Sequence, residues 1–129
     1  VHPDLATAGG IRETKRIADY AEEKSNMPCA LHFAGSPISF MANIHCAASI
    51  CDFVALEHHA LDIPWWKNLV TGLLDPPIKD GYAAVPEKPG LGVDLNPEII
   101  QQHLRYPGYF EPTPEWDTPK FGFYRPHQK

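Results

Sequence analysis

The amino-acid sequence predicts an α/β fold built from parallel β/α units, and three observations carry that expectation. Short apolar runs alternate with helix-periodic segments over residues 1–60, an order that suits parallel strands because their crossovers need an intervening helix. An ionisable residue stands at the end of each of three such runs, Asp4, His32 and Glu57. Their spacings of 28 and 25 residues are about the size of a β/α repeat. Finally, the chain has 14 prolines, about twice the usual share of roughly 5%. Ten of them lie from Pro76 onward, dividing a regular first half from a loop-rich second half.

The elements follow in order. Val1–Leu5 reads as the end of a strand. After Gly9-Gly10, the residues Ile11, Thr14, Ile17, Ala18 and Ala21 recur at helical spacing, with Arg12, Glu13, Lys15, Arg16, Glu22 and Glu23 opposite them. This predicts an amphipathic helix that packs on a sheet and ends near Lys24-Ser25-Asn26. Pro28–His32 reads as a short buried strand. Gly35-Ser36-Pro37 then opens a second helix, about Ile38 to Ser49, apolar nearly all round and so expected to be buried. Phe53–Leu56 is the third strand, followed directly by Glu57-His58-His59. Further on, Ile78–Val85 with Lys79-Asp80-Gly81 predicts a hairpin or extended return. Asn96 caps a short helix with Pro97 at its first position, running to about Leu104.

Composition narrows the function. The 129 residues suit one small domain by length alone. At 43% hydrophobic and 21% charged, the chain is globular in character. A net charge of −5, with 11 basic residues that form no run, argues against a nucleic-acid partner, which would need clustered Lys and Arg. No stretch approaches the roughly 18 apolar residues of a membrane helix, and the opening residues lack a signal-peptide pattern, so a cytoplasmic protein without a membrane partner is expected. Cys29, Cys46 and Cys51 are an odd number, which suits reduced thiols packed as small hydrophobes better than a disulfide framework.

The strand-end residues are the candidate site. In parallel α/β folds, ligands gather at the carboxyl ends of the strands, where adjacent loops converge. Adjacent strands lie about 4.8 Å apart, so Asp4, His32 and Glu57 can meet. Any one of them alone reads as an ordinary cap or solvated loop residue; three at matching positions make the stronger pattern. His58-His59 has no Cys or His partner at metal spacing and is a weak zinc signal. His45, on an apolar helix, reads as a core or interface histidine.

These segments carry a family resemblance. His2–Lys15, with its Pro-Asp and Gly-Gly-Ile signals, resembles the sixth-strand segment of the mandelate racemase/muconate lactonizing subgroup of the enolase superfamily. Ala30–Pro37 resembles its seventh-strand histidine segment, Ala55-Leu56-Glu57 its eighth-strand glutamate, and Pro89–Val93 its Pro-Gly-Leu-Gly turn. The four occur in the family's order over about Val1 to Leu104, and the similarity is greatest to acid-sugar dehydratases of the galactonate-dehydratase type.

The resemblance implies the last three strands of a (β/α)8 barrel, carried by a C-terminal fragment of a larger chain, since a whole barrel takes about 250 residues. It implies last β/α units in 1–60, a post-barrel segment returning to a capping domain in 61–105, and an extended Pro/aromatic tail in 106–129. It implies catalytic roles for Asp4 and His32 as a carboxylate-imidazole dyad, and for Glu57 as a hydrogen-bonding partner of the substrate carboxylate or its enolate. His32, Glu57 and Trp65 are the substrate-binding candidates, with Trp65 and Trp66 either walling the site or packing on the cap. The implied cofactor is Mg²⁺, with its ligands upstream and none in this segment. The implied reaction is dehydration of a sugar acid through α-proton abstraction and an enolate, by a homo-oligomer of which this segment alone would be inactive. Epimerisation or cycloisomerisation by the same dyad, and a non-catalytic metabolite-binding or assembly role, are the alternatives.

Overall fold

In the computed structural model, residues 1–60 and 62–105 are described. They belong to two compact units, Val1–Pro97 and the chain from Glu98 onward. The tail expected over 106–129 lies outside the described residues.

Helix α1 spans Gly10–Ser25. Gly9 and Gly10 take φ of 104° and 85°, conformations a side chain resists. The helix stops where Asn26 turns left-handed: its N–H donates to the Glu22 carbonyl at 2.9 Å, and the Met27 N–H reaches the Ala21 carbonyl at 3.1 Å, so two of the carbonyls in the last turns keep partners. Thr14, Ala18 and Ala21 form the buried stripe. Ile11 and Ile17, expected on that face, flank it on either side and stay open at 41% and 38%. Strand β1 (Cys29–Leu31) is followed by helix α2 (Pro37–Ala47), two residues shorter at its end than expected. Ser36 caps α2 by accepting the Ser39 N–H at 3.3 Å, with Pro37 beginning its first turn. Strand β2 is Phe53–Leu56.

The first four residues pair alongside β1 in parallel: the Ala30 N–H donates to the Val1 carbonyl and the His32 N–H to the Pro3 carbonyl, both at 3.0 Å, and Asp4 bridges His32. On the other side β1 pairs in parallel with β2, Cys29 opposite Phe53 and Leu31 opposite Leu56, with a register irregularity between. Three parallel segments therefore lie side by side in chain order, joined by helices. Leu5, Ala18, Cys29, Leu31, Ala42, Cys46 and Ile50 form a core between sheet and helices. Burying Leu31 completely contributes about 1.5–3 kcal/mol. Cys29 and Cys46 pack here as small hydrophobes, as expected, whereas Cys51 is exposed; all three are free thiols.

A second cluster, Phe33, Phe40, Met41, Ile44, Ala60 and Trp66, sits beyond the end of β1. The Trp66 indole N–H donates to the Gly35 carbonyl at 2.7 Å, tying the segment after β2 to the loop after β1. A 3₁₀-helix (Trp66–Leu69) leads into β3 (Val70–Thr71), which pairs antiparallel with β4 (Asp94–Leu95). That pairing was not visible in the sequence. The expected hairpin contracts to one bridge, Lys79 with Tyr82, around Asp80 and Gly81, both at positive φ as a two-residue primed turn requires. In β2, Phe53 and Val54 remain open at 37% and 63%, unlike parallel strands covered on both faces. Helix α3 is Pro97–Gln102, ending two residues before the expected Leu104.

Candidate functional site

Three elements deliver the site, each by ending. The parallel pairing of Val1–Asp4 with β1 brings Asp4 beside His32, and that of β1 with β2 brings Glu57 to the other side of the same imidazole. His32 Nδ1 lies 2.7 Å from Asp4 Oδ2, and its Nε2 lies 3.6 Å from Glu57 Oε2. The side chains are partly open, 40% for His32, 27% for Asp4 and 32% for Glu57, so the cluster faces a surface that a small molecule can reach.

Asp4 is held tightly. Burial pushes its carboxyl up, but the hydrogen bond with His32 and those from the Thr7 and Ala6 amides outweigh that, and the net shift is downward. The Thr7 N–H reaches Oδ1 at 3.1 Å, while the Asp4 carbonyl accepts from the Ala8 N–H at 2.8 Å. An ionised carboxylate only accepts, so His32 Nδ1 must carry a proton. The neutral ring then has its lone pair on Nε2, the atom aimed toward Glu57.

Glu57 is also held below its ordinary range, first by the hydrogen bond from His59, against the opposing effect of desolvation, with help from the Phe33 amide and the nearby imidazoles. His59 Nε2 donates to Oε1 at 2.6 Å, and the Phe33 N–H approaches Oε2 at 3.4 Å. His2 Nε2 stands 3.7 Å from the same Oε2, and its ring meets that of His32 edge-on at 5.7 Å. His2 and His59 are the members that sequence reasoning did not assign. The available signal was position: His2 precedes Asp4 by two residues and His59 follows Glu57 by two, spacings that keep a side chain on one face of an extended chain.

His58 does the opposite. Its ring packs edge-on against Phe40 at 4.7 Å and Trp66 at 5.0 Å and lies 5.4 Å from Phe33. Burial, aided by His59, lowers its pKa and keeps it neutral. His45 is half-buried, with Nε2 3.4 Å from the Leu91 carbonyl. Trp65 caps the 3₁₀-helix, 37% exposed, its carbonyl accepting from the Asn68 N–H at 3.0 Å.

Mg²⁺ takes near-octahedral oxygen ligands. The two carboxylates of the cluster are each engaged by an imidazole, and among the described residues no group of three or more His, Cys, Asp or Glu is arranged to hold a metal ion. These residues do not fit Mg²⁺. Among them, too, no helix is long and apolar enough to cross a membrane.

Residues 1–99 match the family described as Enolase C-terminal domain-like. The chain is 41% identical over 104 residues to D-xylonate dehydratase of Haloferax volcanii, covering 81% of this chain and 24% of that protein. It is 30% identical over 128 residues to D-galactonate dehydratase of Ralstonia pickettii, covering 92% and 30%. A mandelate racemase/muconate lactonizing enzyme-like protein from Rubrobacter xylanophilus superposes with a TM-score of 0.75 at 40% identity, over 80% of this chain and 26% of that one. The chain thus spans about a quarter to a third of the length of the relatives it matches.

Proposed function

This chain belongs to the Enolase C-terminal domain-like family, and from that premise we propose that it carries the proton-transfer part of a sugar-acid dehydratase site. The carrying observation is the imidazole fixed between two carboxylates: Asp4 at 2.7 Å sets the tautomer, and Nε2 is left as the free base, 3.6 Å from Glu57. The α-proton of a hydroxy acid is weakly acidic, and removing it needs a base whose pKa lies near the working pH, which an imidazole supplies. Asp4 orients the ring and stabilises its protonated form. The same Nε2–H then gives its proton to the departing β-hydroxyl, which leaves as water, and the enol that remains tautomerises to a 2-keto-3-deoxy acid; returned to the α-carbon instead, the proton gives epimerisation without loss of water.

Glu57, ionised in this setting, accepts a hydrogen bond from a substrate hydroxyl. It donates to a developing enolate oxygen only after taking up a proton itself. Trp65 is assigned to the wall of the substrate site. The reading gives Mg²⁺ to carboxylates contributed by other parts of a longer protein, with residues 1–60 as the last β/α units of the barrel, 61–105 as the return to a capping domain, and a homo-oligomer as the working form. The names of the relatives make D-xylonate and D-galactonate the first sugar acids to try.

The test is His32→Asn in the full-length enzyme, scored by the 2-keto product over a panel of sugar acids. Turnover should fall by about 10²–10⁴-fold, with the circular dichroism spectrum unchanged. Unaltered turnover would reject the site. Exchange of the α-proton with solvent deuterium, without loss of water from any substrate, would replace dehydration by epimerisation.

A further inference from the structure

Two histidines follow β2, and the chain sends them to opposite sides. His58 goes inward among Phe33, Phe40 and Trp66, while His59 reaches out to Glu57. Among the described residues, four groups surround the Glu57 carboxylate: His59 on Oε1 at 2.6 Å, the Phe33 amide on Oε2 at 3.4 Å, His32 Nε2 at 3.6 Å and His2 Nε2 at 3.7 Å. Only the His59 contact has the length of a strong charge-assisted hydrogen bond.

We propose that His59 is a positioning residue: by holding Oε1, it keeps the Glu57 carboxylate from closing onto His32 Nε2 and so preserves the base needed for proton transfer. The proposal rests on the dyad reading above and adds to it a role for a side chain beyond the three strand-end residues. Without His59, a modest rotation of Glu57 turns the 3.6 Å separation into a direct ion pair. That pair favours the imidazolium, which cannot accept a proton, and an opposite charge at this range raises an imidazole's pKa. With Asp4 already on Nδ1, a direct contact from Glu57 would engage the ring at both nitrogens and leave no free Nε2 to face a substrate. His2, past hydrogen-bond distance from Oε2, cannot replace the lost restraint.

The experiment compares His59→Ala, His59→Gln and His32→Asn in the full-length enzyme. Gln places an amide N–H₂ close to where Nε2 of the histidine lies, so it can still donate to Oε1. His59→Ala should lower kcat about 10-fold with a smaller change in KM, and should move the acidic limb of the kcat/KM profile upward by about one pH unit. His59→Gln should recover most of the rate and return the limb toward its original place. The His59 side chain is 58% exposed, and circular dichroism checks that both variants fold. An unchanged rate and pH profile in His59→Ala, or equal impairment in the Ala and Gln variants, would overturn the positioning role. Retained activity in His32→Asn would instead sink the dyad reading beneath it, so the two failures are told apart.

Discussion

The stretch up to Leu56 and the stretch from Asp62 to Pro97 are stabilised differently. In the first, two helices and three parallel segments enclose a core in which Leu31, Cys29 and Cys46 are all at 1% exposure or less. In the second, the regular pairing is two residues on each strand plus one bridge, and the path is set by backbone conformation: Gly72, Gly81, Gly90 and Gly92 all take positive φ. The first region is fixed mainly by side-chain burial; the second is anchored by Trp66 and Val70, and beyond those anchors its path is set by where the chain is allowed to turn. The candidate site lies at the strand ends of the buried region, where a proton-transfer geometry is best held.

That contrast can be broken at its strong end first. Leu31→Ala should cost about 2–5 kcal/mol in denaturant unfolding, because the residue is fully enclosed and the sheet beneath the site cannot collapse around the gap. Loss of less than about 1 kcal/mol would mean that the strand-end region is far looser than its burial indicates.

In the second region the sensitive position is a glycine. At Gly92, φ is 77° and an added Cβ would lie 2.6 Å from Pro86 Cγ. Gly92→Ala should therefore destabilise by about 1–2 kcal/mol through the left-handed backbone alone, with the crowded proline adding to it. Equal stability, measured in the same way, would show that the turn is not what fixes this stretch.

The smallest expected effect is electrostatic. The Asp4 carboxyl is lowered by the hydrogen bonds of His32, Thr7 and Ala6 against the opposing effect of burial. Its ionised form thus adds stability that is fully present above the unfolded aspartate pKa and is lost as pH falls through the lower folded value. The stability gap between the wild type and Asp4→Asn should persist through neutrality and shrink only below the ordinary aspartate range. A gap that closes between pH 5 and 7 would contradict this assignment.

How much the sequence disclosed follows the same division. Over residues 1–60, the 3.6-residue spacing of Thr14, Ala18 and Ala21, the Ser36-Pro37 helix start and the apolar run Phe53–Leu56 are local signals, and the elements they predict are present. The meeting of Asp4 with His32 and Glu57 was legible because parallel pairing turns equal spacing into proximity. The β3–β4 pair was not, since two residues per strand leave no periodicity to detect. The split of His58 from His59 was equally hidden: adjacent residues on an extended chain face opposite ways, but which face is buried depends on Phe40 and Trp66, distant in sequence.

The irregularity between β1 and β2 decides where the glutamate lands. Cys29 stands opposite Phe53, yet two residues later Leu31 stands opposite Leu56, so two steps along β1 are matched by three along β2. This is the signature of one extra residue in β2. Because side chains alternate from face to face, a shift of one exchanges inside for outside. With an even register, Leu56 would occupy the row of His32, and the carboxylate would fall one row beyond it. The additional residue acts as a parity switch, carrying Glu57 into line with His32 and Asp4. Shortening β2 by a single residue would leave every functional side chain in the sequence and still dismantle the row.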